Sequence, residues 1–115
     1  MKIILPWYPR ELSPNATVHY MKKAKYKALY KQVCKEQTLK VLELMKDSTM
    51  WDYTEMDITY TMPDKRWRDT DNLIASTKNG IDGMCEALGI NDRVFEHIHI
   101  HRSKEIGGFI TVELK

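Results

Sequence analysis

Only two of the 115 residues are cysteines, Cys34 and Cys85. Neither sits in a C-x-x-C pair or has a histidine at zinc-finger spacing, which excludes a disulfide framework and a cysteine-ligated zinc module. Both thiols are expected to be structural in a reducing compartment, with Cys85 on the apolar face of a helix as a small hydrophobe. Long hydrophobic runs are also lacking. None approaches the roughly 20 residues that a membrane helix needs, so no membrane partner is expected. Ile3-Ile4-Leu5 ends at Pro6, too short an apolar stretch for a signal peptide, and a cytoplasmic location is expected. Internal repeats, linkers and low-complexity tracts are missing as well.

What is present suits one globular domain over residues 1–115, since a domain takes about 100–200 residues. At that size roughly two-thirds of the unfolded surface is buried, so folding needs no structural metal. Hydrophobic residues make up 43% and charged residues 30%, ordinary proportions for such a domain. The net charge of +2 hides a segregation along the chain. Residues 20–46 hold eight lysines against Glu36 and Glu43, whereas residues 47–64 hold five acids and no base. Lys65, Arg66 and Arg68 then stand directly before Asp69 and Asp71. Positive charge beside a carboxylate cluster suits a polyanion held around a bound cation. A solvated helix face accounts for the lysines of 20–46 equally well.

Hydrophobic periodicity predicts the order β-α-β-α-β-β, an α/β chain of the α+β type with a mixed sheet and two main helices. Residues 2–5 read as a strand. Residues 6–15, with three prolines and two aromatics, read as an ordered irregular loop. Over residues 18–46 the helical spacing of Tyr26, Leu29, Tyr30, Val33 and Cys34 predicts a buried face, with Lys23, Lys27, Lys31 and Lys35 opposite. A break in this helix would fall at Gln37-Thr38, and Asp47-Ser48 ends it. Residues 55–62 alternate as a strand closed by Pro63. Asp71 is an N-cap candidate for a helix over 71–88, with Ile74, Thr77, Ile81, Met84, Cys85 and Leu88 buried and Gly89 at its C-terminus. Residues 93–101 alternate as a strand, and 109–114 form the last strand after a Gly107-Gly108 turn. The scattered methionines, Met21 and Met45 among them, read as core filler.

Chemistry concentrates in Arg68-Asp69-Thr70-Asp71-Asn72-Leu73, then Lys78 and Asp82, then Asn91-Asp92. On an extended segment Asp69 and Asp71 project to the same side. Seven steps of about 100° along a helix return Lys78 to the side of Asp71, and Asp82, one turn further, can orient the ammonium. A turn after the helix returns Asn91-Asp92 toward the sheet. Converging carboxylates suit magnesium, which takes hard oxygen ligands, water and substrate phosphate. Such a cation activates water and neutralises charge on a scissile phosphate, and a nearby ammonium adds fixed positive charge. A calcium loop is excluded, because Leu73 and Ile74 stand where it needs an oxygen ligand and a glycine. A nucleotide-sugar transferase would need a far larger chain. An N-cap carboxylate among surface acids is the plain structural alternative.

The run Pro-Asp-Lys-Arg-Trp-Arg-Asp-Thr-Asp-Asn-Leu, the helix with Lys78 and Asp82, and Asn91-Asp92-Arg93-Val94 together resemble the RusA family of Holliday-junction resolvases. These crossover junction endodeoxyribonucleases are small enzymes of bacteria, prophages and phages. Pro6, Pro9 and Asn15 extend the resemblance, more weakly, to the Pro-rich N-terminal loop. The resemblance implies that Asp69, Asp71 and Asp92 are the catalytic, metal-binding aspartates and Lys78 the catalytic lysine. Here Lys78 lies further from the aspartate pair than in the best-known members. Asn91 replaces the first of two adjacent aspartates usual in the family. The resemblance further implies a homodimer that nicks four-way DNA junctions with Mg²⁺ or Mn²⁺.

Lys65, Arg66 and Arg68 are the leading candidates for phosphate contact, with Trp67 either stacking on a base or packing inward. Arg10, Asn15, Lys22 and Lys23 are further DNA-binding candidates, and Asp82 and Asn91 candidate supports of the metal site. His97, His99 and His101 share one strand face, a pattern open to zinc binding or to half-exposed polar positions. The expected function is thus a magnesium-dependent endonuclease on branched double-stranded DNA. The alternative is a structure-selective DNA-binding protein with a decayed metal site.

Overall fold

The computed structural model describes residues 1–45 and 52–115; the expected helix end at Asp47-Ser48, with Met50 and Trp51, lies outside them. Its elements are β1 (Lys2–Pro6), α1 (Tyr20–Leu44), β2 (Glu55–Met62), α2 (Thr70–Leu88), β3 (His97–Ile106) and β4 (Phe109–Leu114), in the order the periodicity predicts. Short 3₁₀ turns at Arg10–Leu12 and Asp92–Val94 interrupt the connections.

The strands form one mixed sheet in the order β1-β4-β2-β3. Strand β4 is antiparallel to both β1 and β2, while β3 runs parallel to β2 along the edge. Period-2 alternation puts Ile3, Leu5, Met56, Ile58, Tyr60, Ile110, Val112 and Leu114 on one face, where all are buried. They pack with Tyr30 and Cys34 of α1 and with Leu73, Met84, Cys85 and Leu88 of α2 in one core. Each such buried aliphatic side chain contributes roughly 1.5–3 kcal/mol. The opposite face carries Lys2, Asp57, Thr59, Thr111 and Glu113 and stays partly exposed. Burial pushes the Cys34 thiol up to about 12 and the Cys85 thiol up to about 11, so both are inert structural thiols.

Gly107 and Gly108 do not make a hairpin between β3 and β4. Their amides donate to the Met62 and Thr61 carbonyls, so the turn crosses the end of β2, which lies between the two strands. Strand β3 also starts later than residue 93, because Asn91 accepts from the Arg93 amide and winds residues 92–94 into a 3₁₀ turn.

The two helices cross at glycine. A Cβ on Gly80 would meet the Tyr30 ring and the Cys34 sulfur, and one on Gly83 would run into the Lys31 carbonyl. That close approach compensates for two mid-helix glycines, each costing about 1 kcal/mol relative to alanine. It also fixes the buried row of α1 as Tyr30, Cys34 and Thr38, leaving Leu29 and Val33 exposed where burial was expected. Helix α1 runs unbroken through Gln37-Thr38, since the Thr38 hydroxyl donates to the Cys34 carbonyl at 2.8 Å. Lys31 and Lys35, expected on the solvated face, reach Glu86 of α2 at 3.0 and 2.8 Å. On α2 the buried row begins at Leu73 and leaves Ile74 exposed. Met56 and Met84 are core residues, whereas Met21 and Met45 are exposed. No described helix is long and apolar enough to cross a membrane.

Candidate metal and nucleic-acid site

Pro63 ends β2 and the chain must reverse to enter α2, which places Asp69 and Asp71 at the N-terminus of that helix. The helix begins at Thr70, one residue before the expected start, and Asp69 rather than Asp71 is the N-cap residue. Asp69 is extended (φ −68°, ψ 145°), while Asp71 already belongs to the first helical turn. The two carboxylates therefore flank one turn and do not alternate along a strand. Acidic residues are favoured in this position. Asp69 makes no capping bond; its Oδ1 accepts from the Trp67 indole N–H at 3.1 Å. Asp71 Oδ1 accepts from the Asn72 amide at 3.0 Å. Both are exposed, and neither is ion-paired among the described residues.

Asp92 lies elsewhere. The 19 residues of α2 extend about 28 Å at 1.5 Å per residue. From Leu88 to Asp92 the chain can double back by at most about 14 Å, so the Asp92 and Asp69 backbones are at least about 14 Å apart. The topology explains the separation: β3 is parallel to β2, so Asp92 arrives at the start of β2 and Asp69 leaves from its end. Asp92 instead lines a second, shallow cavity with Asp82, Cys85, Glu86, Ile90 and Asn91. Among the described residues no group of three or more His, Cys, Asp or Glu is close enough to hold a metal ion. The expected convergence of Asp69, Asp71 and Asp92 does not occur within the chain. Lys78 does lie on α2 beside Asp82, at 3.8 Å, but two turns, about 10 Å, from Asp71.

The loop before the aspartates is built around Asp64. Arg68 forks onto it, Nη1 to Oδ1 at 2.9 Å and Nη2 to Oδ2 at 3.1 Å, and the Arg66 amide donates to Oδ1 at 2.9 Å. The Arg68 guanidinium, then the Arg66 amide, hold the Asp64 carboxyl down at about 2. Arg68 also lies over the Trp7 ring at 5.5 Å and is only 14% exposed. Its charge is paired with Asp64, so in this loop Arg68 acts as a structural clamp. Arg66 remains exposed, although its Nε comes within 3.4 Å of Asp64.

A cavity of about 870 Å³ opens between this loop and residues 7–22. Arg10, Asn15, Lys22 and Arg66 line it, with Trp7, Tyr8, His19, Trp67, Asp69 and Asn72. Lys65 is exposed on the same loop, but neither it nor Lys23 is part of the lining. Arg102 went unrecognised in the sequence. Its Nη2 donates to the Arg68 carbonyl at 2.7 Å and to Thr70 Oγ1 at 2.8 Å, and its guanidinium lies 4.5 Å from the Trp67 ring centre. Arg102 lies one residue beyond the strand expected over 93–101, and its register beside Tyr60 and Ile110, which face the core, exists only in the folded sheet.

The histidines lie on the sheet face away from the core. The His97 and His99 rings are 6.4 Å apart, and His101 Nε2 is 3.6 Å from Asp57 Oδ1. Asp57 is also paired with Lys115 at 2.6 Å, which holds its carboxyl below the ordinary range.

No family model matches the chain. An "Uncharacterized protein" of Xylella fastidiosa (strain Temecula1 / ATCC 700964) is 31% identical over 101 residues, covering 81% of this chain. The match takes in 61% of that relative, so the chain spans less than two-thirds of its length.

Proposed function

We propose that the chain is a magnesium-dependent endodeoxyribonuclease of the RusA type, acting on branched double-stranded DNA as a homodimer in the cytoplasm. The observation that carries this reading is the placement of Asp69 and Asp71. Two exposed carboxylates, neither ion-paired among the described residues, stand at one helix N-terminus, and Asp69 lines the adjoining cavity with Arg10, Lys22, Arg66, Trp7 and Trp67. Magnesium is commonly bound by one or two carboxylates plus substrate phosphate, and the oxygen donors of Asp69 and Asp71 fit it; Mn²⁺ is the expected substitute. When bound, the cation supplies water activation and charge neutralisation at the phosphate. Arg66, Arg10 and Lys22 hold the DNA backbone, Trp67 fixes the Asp69 carboxylate through its indole N–H, and Lys78 contributes positive charge along α2. Asp92 joins the site only as Asp92 of the partner subunit, since its own protomer holds it at the far end of α2.

The test is a gel assay on labelled four-way junctions and matching linear duplex, with Mg²⁺, Mn²⁺ or EDTA, and with Asp71→Asn as control. Metal-dependent paired nicks near the crossover, absent in the variant, are the expected result. A retarded junction band without a nick in Mg²⁺ or in Mn²⁺ would overturn the nuclease reading. It would favour the non-cleaving DNA-binding protein.

A further inference from the structure

Trp67 is the most conspicuous side chain that the nuclease reading does not use fully. It is 78% exposed, yet it is held from two sides. Its N–H is bonded to Asp69, and the Arg102 guanidinium covers one side of the ring. Arg102 is itself tethered to the Arg68 carbonyl and to Thr70, and it is not among the residues that line the cavity. Trp67 does line the cavity. A large aromatic surface in water, fixed in orientation and backed by a cation, is a stacking platform that loses little side-chain entropy when a ring settles on it.

We propose that this cavity receives an unpaired nucleotide of the DNA, its base stacked on the open face of Trp67. The idea rests on the reading of the chain as a DNA-acting protein and narrows it to a substrate with at least one unstacked base. Bases inside a duplex have both faces covered, so the Trp67 indole can stack only on a base with a free face, as an unpaired base has. The polar lining fits such a guest. Arg66 and Lys22 offer charge to the flanking phosphates, and Asn15 and Asn72 offer amides, each both donor and acceptor, to a base edge. Arg68 offers nothing to the guest, since Asp64 occupies it.

Binding is measured in EDTA, where cleavage is suppressed, with a duplex oligomer carrying one unpaired 2-aminopurine as a bulge and a matched oligomer with an abasic position at the bulge instead. The Trp67→Ala variant is expected to bind the oligomer roughly 5- to 100-fold more weakly, the range for loss of one stacked base. Wild-type protein should lose a comparable factor on the abasic oligomer, and Trp67→Ala should be indifferent to the missing base. Trp67→Phe should retain most of the affinity and of the 2-aminopurine quenching. Phenylalanine keeps a π face but lacks the N–H, which separates stacking from the bond to Asp69. Equal affinity of wild type and Trp67→Ala, or equal abasic discrimination in both, would overturn the proposal. So would failure of wild type to bind the oligomer. Nicking of junctions in Mg²⁺ would in those cases leave the nuclease reading standing. Circular dichroism of both variants confirms that any loss is not unfolding.

Discussion

Asp69 and Asp92 stand at opposite ends of α2, the first as its N-cap residue and the second three residues beyond its C-cap, Gly89. A metal site that needs both must draw them from two copies of the chain. Asp69→Asn and Asp92→Asn proteins are each expected to lose junction cleavage. Co-expressed, they should regain it, because one of the two shared sites in a mixed dimer keeps both aspartates. Random pairing restores about a quarter of the wild-type sites in a twofold assembly. A mixture as inactive as its components would place both aspartates' roles within one protomer or remove Asp92 from the site.

Arg66 and Arg68, two residues apart, should fail differently. On the proposed reading exposed Arg66 contacts a phosphate, so Arg66→Ala should weaken binding to every DNA sequence and lower the salt-dependence slope by about 0.9. Arg68→Ala leaves Asp64 without its fork partner and uncovers Trp7, so a lower thermal midpoint is expected. Thermal melts and salt titrations on both variants check the division. A stable Arg68→Ala protein with a reduced salt slope would return Arg68 to the DNA interface.

Gly83→Ala should be among the most damaging small substitutions, since the new methyl group meets the Lys31 carbonyl, which is helix backbone and has no rotamer to change. Separation of α1 from α2 is expected to cost about 1–3 kcal/mol. Urea unfolding measures it. Gly89→Ala, at φ 71° and with open space around it, should suffer through backbone strain alone.

Acid should loosen the helix pair. Hydrogen bonds from Lys35 and Lys31 hold the Glu86 carboxyl down at about 2, against an ordinary value of 4.5. A depressed carboxyl contributes stability that is fully present above its unfolded value and is lost as pH falls through the folded one. The loss therefore spans roughly pH 4.5 to 2, with Asp64 following the same course from 3.8 to about 2. In urea unfolding, Glu86→Gln should be less stable than wild type at pH 7, and the gap should close by about pH 2. A gap independent of pH would show that the lysine pairs are not its source. Solvent exposure keeps the effect modest.

The sequence by itself determined the elements. Alternation over residues 55–62 specified β2, and helical spacing with Gly89 beyond its end specified α2, because both signals are local in the chain. It also placed the basic residues of 65–68 beside Asp69 and Asp71, neighbours in any fold. Tertiary structure decided which elements became neighbours. Gly107-Gly108 looked like the turn of a hairpin, yet β4 pairs with β1 and β2, a choice set by which strand edges can cover one another's amides and carbonyls. The glycine crossing selected the buried row of α1, so Leu29 and Val33 face out and Lys31 and Lys35 meet Glu86. Arg102 reaches Trp67 only because β3 lies beside β2 in parallel, and that same parallel pairing carries Asp92 away from Asp69. Residue spacing records positions along one chain, whereas a site forms from distances in space, and the direction of a single strand was enough to separate the two.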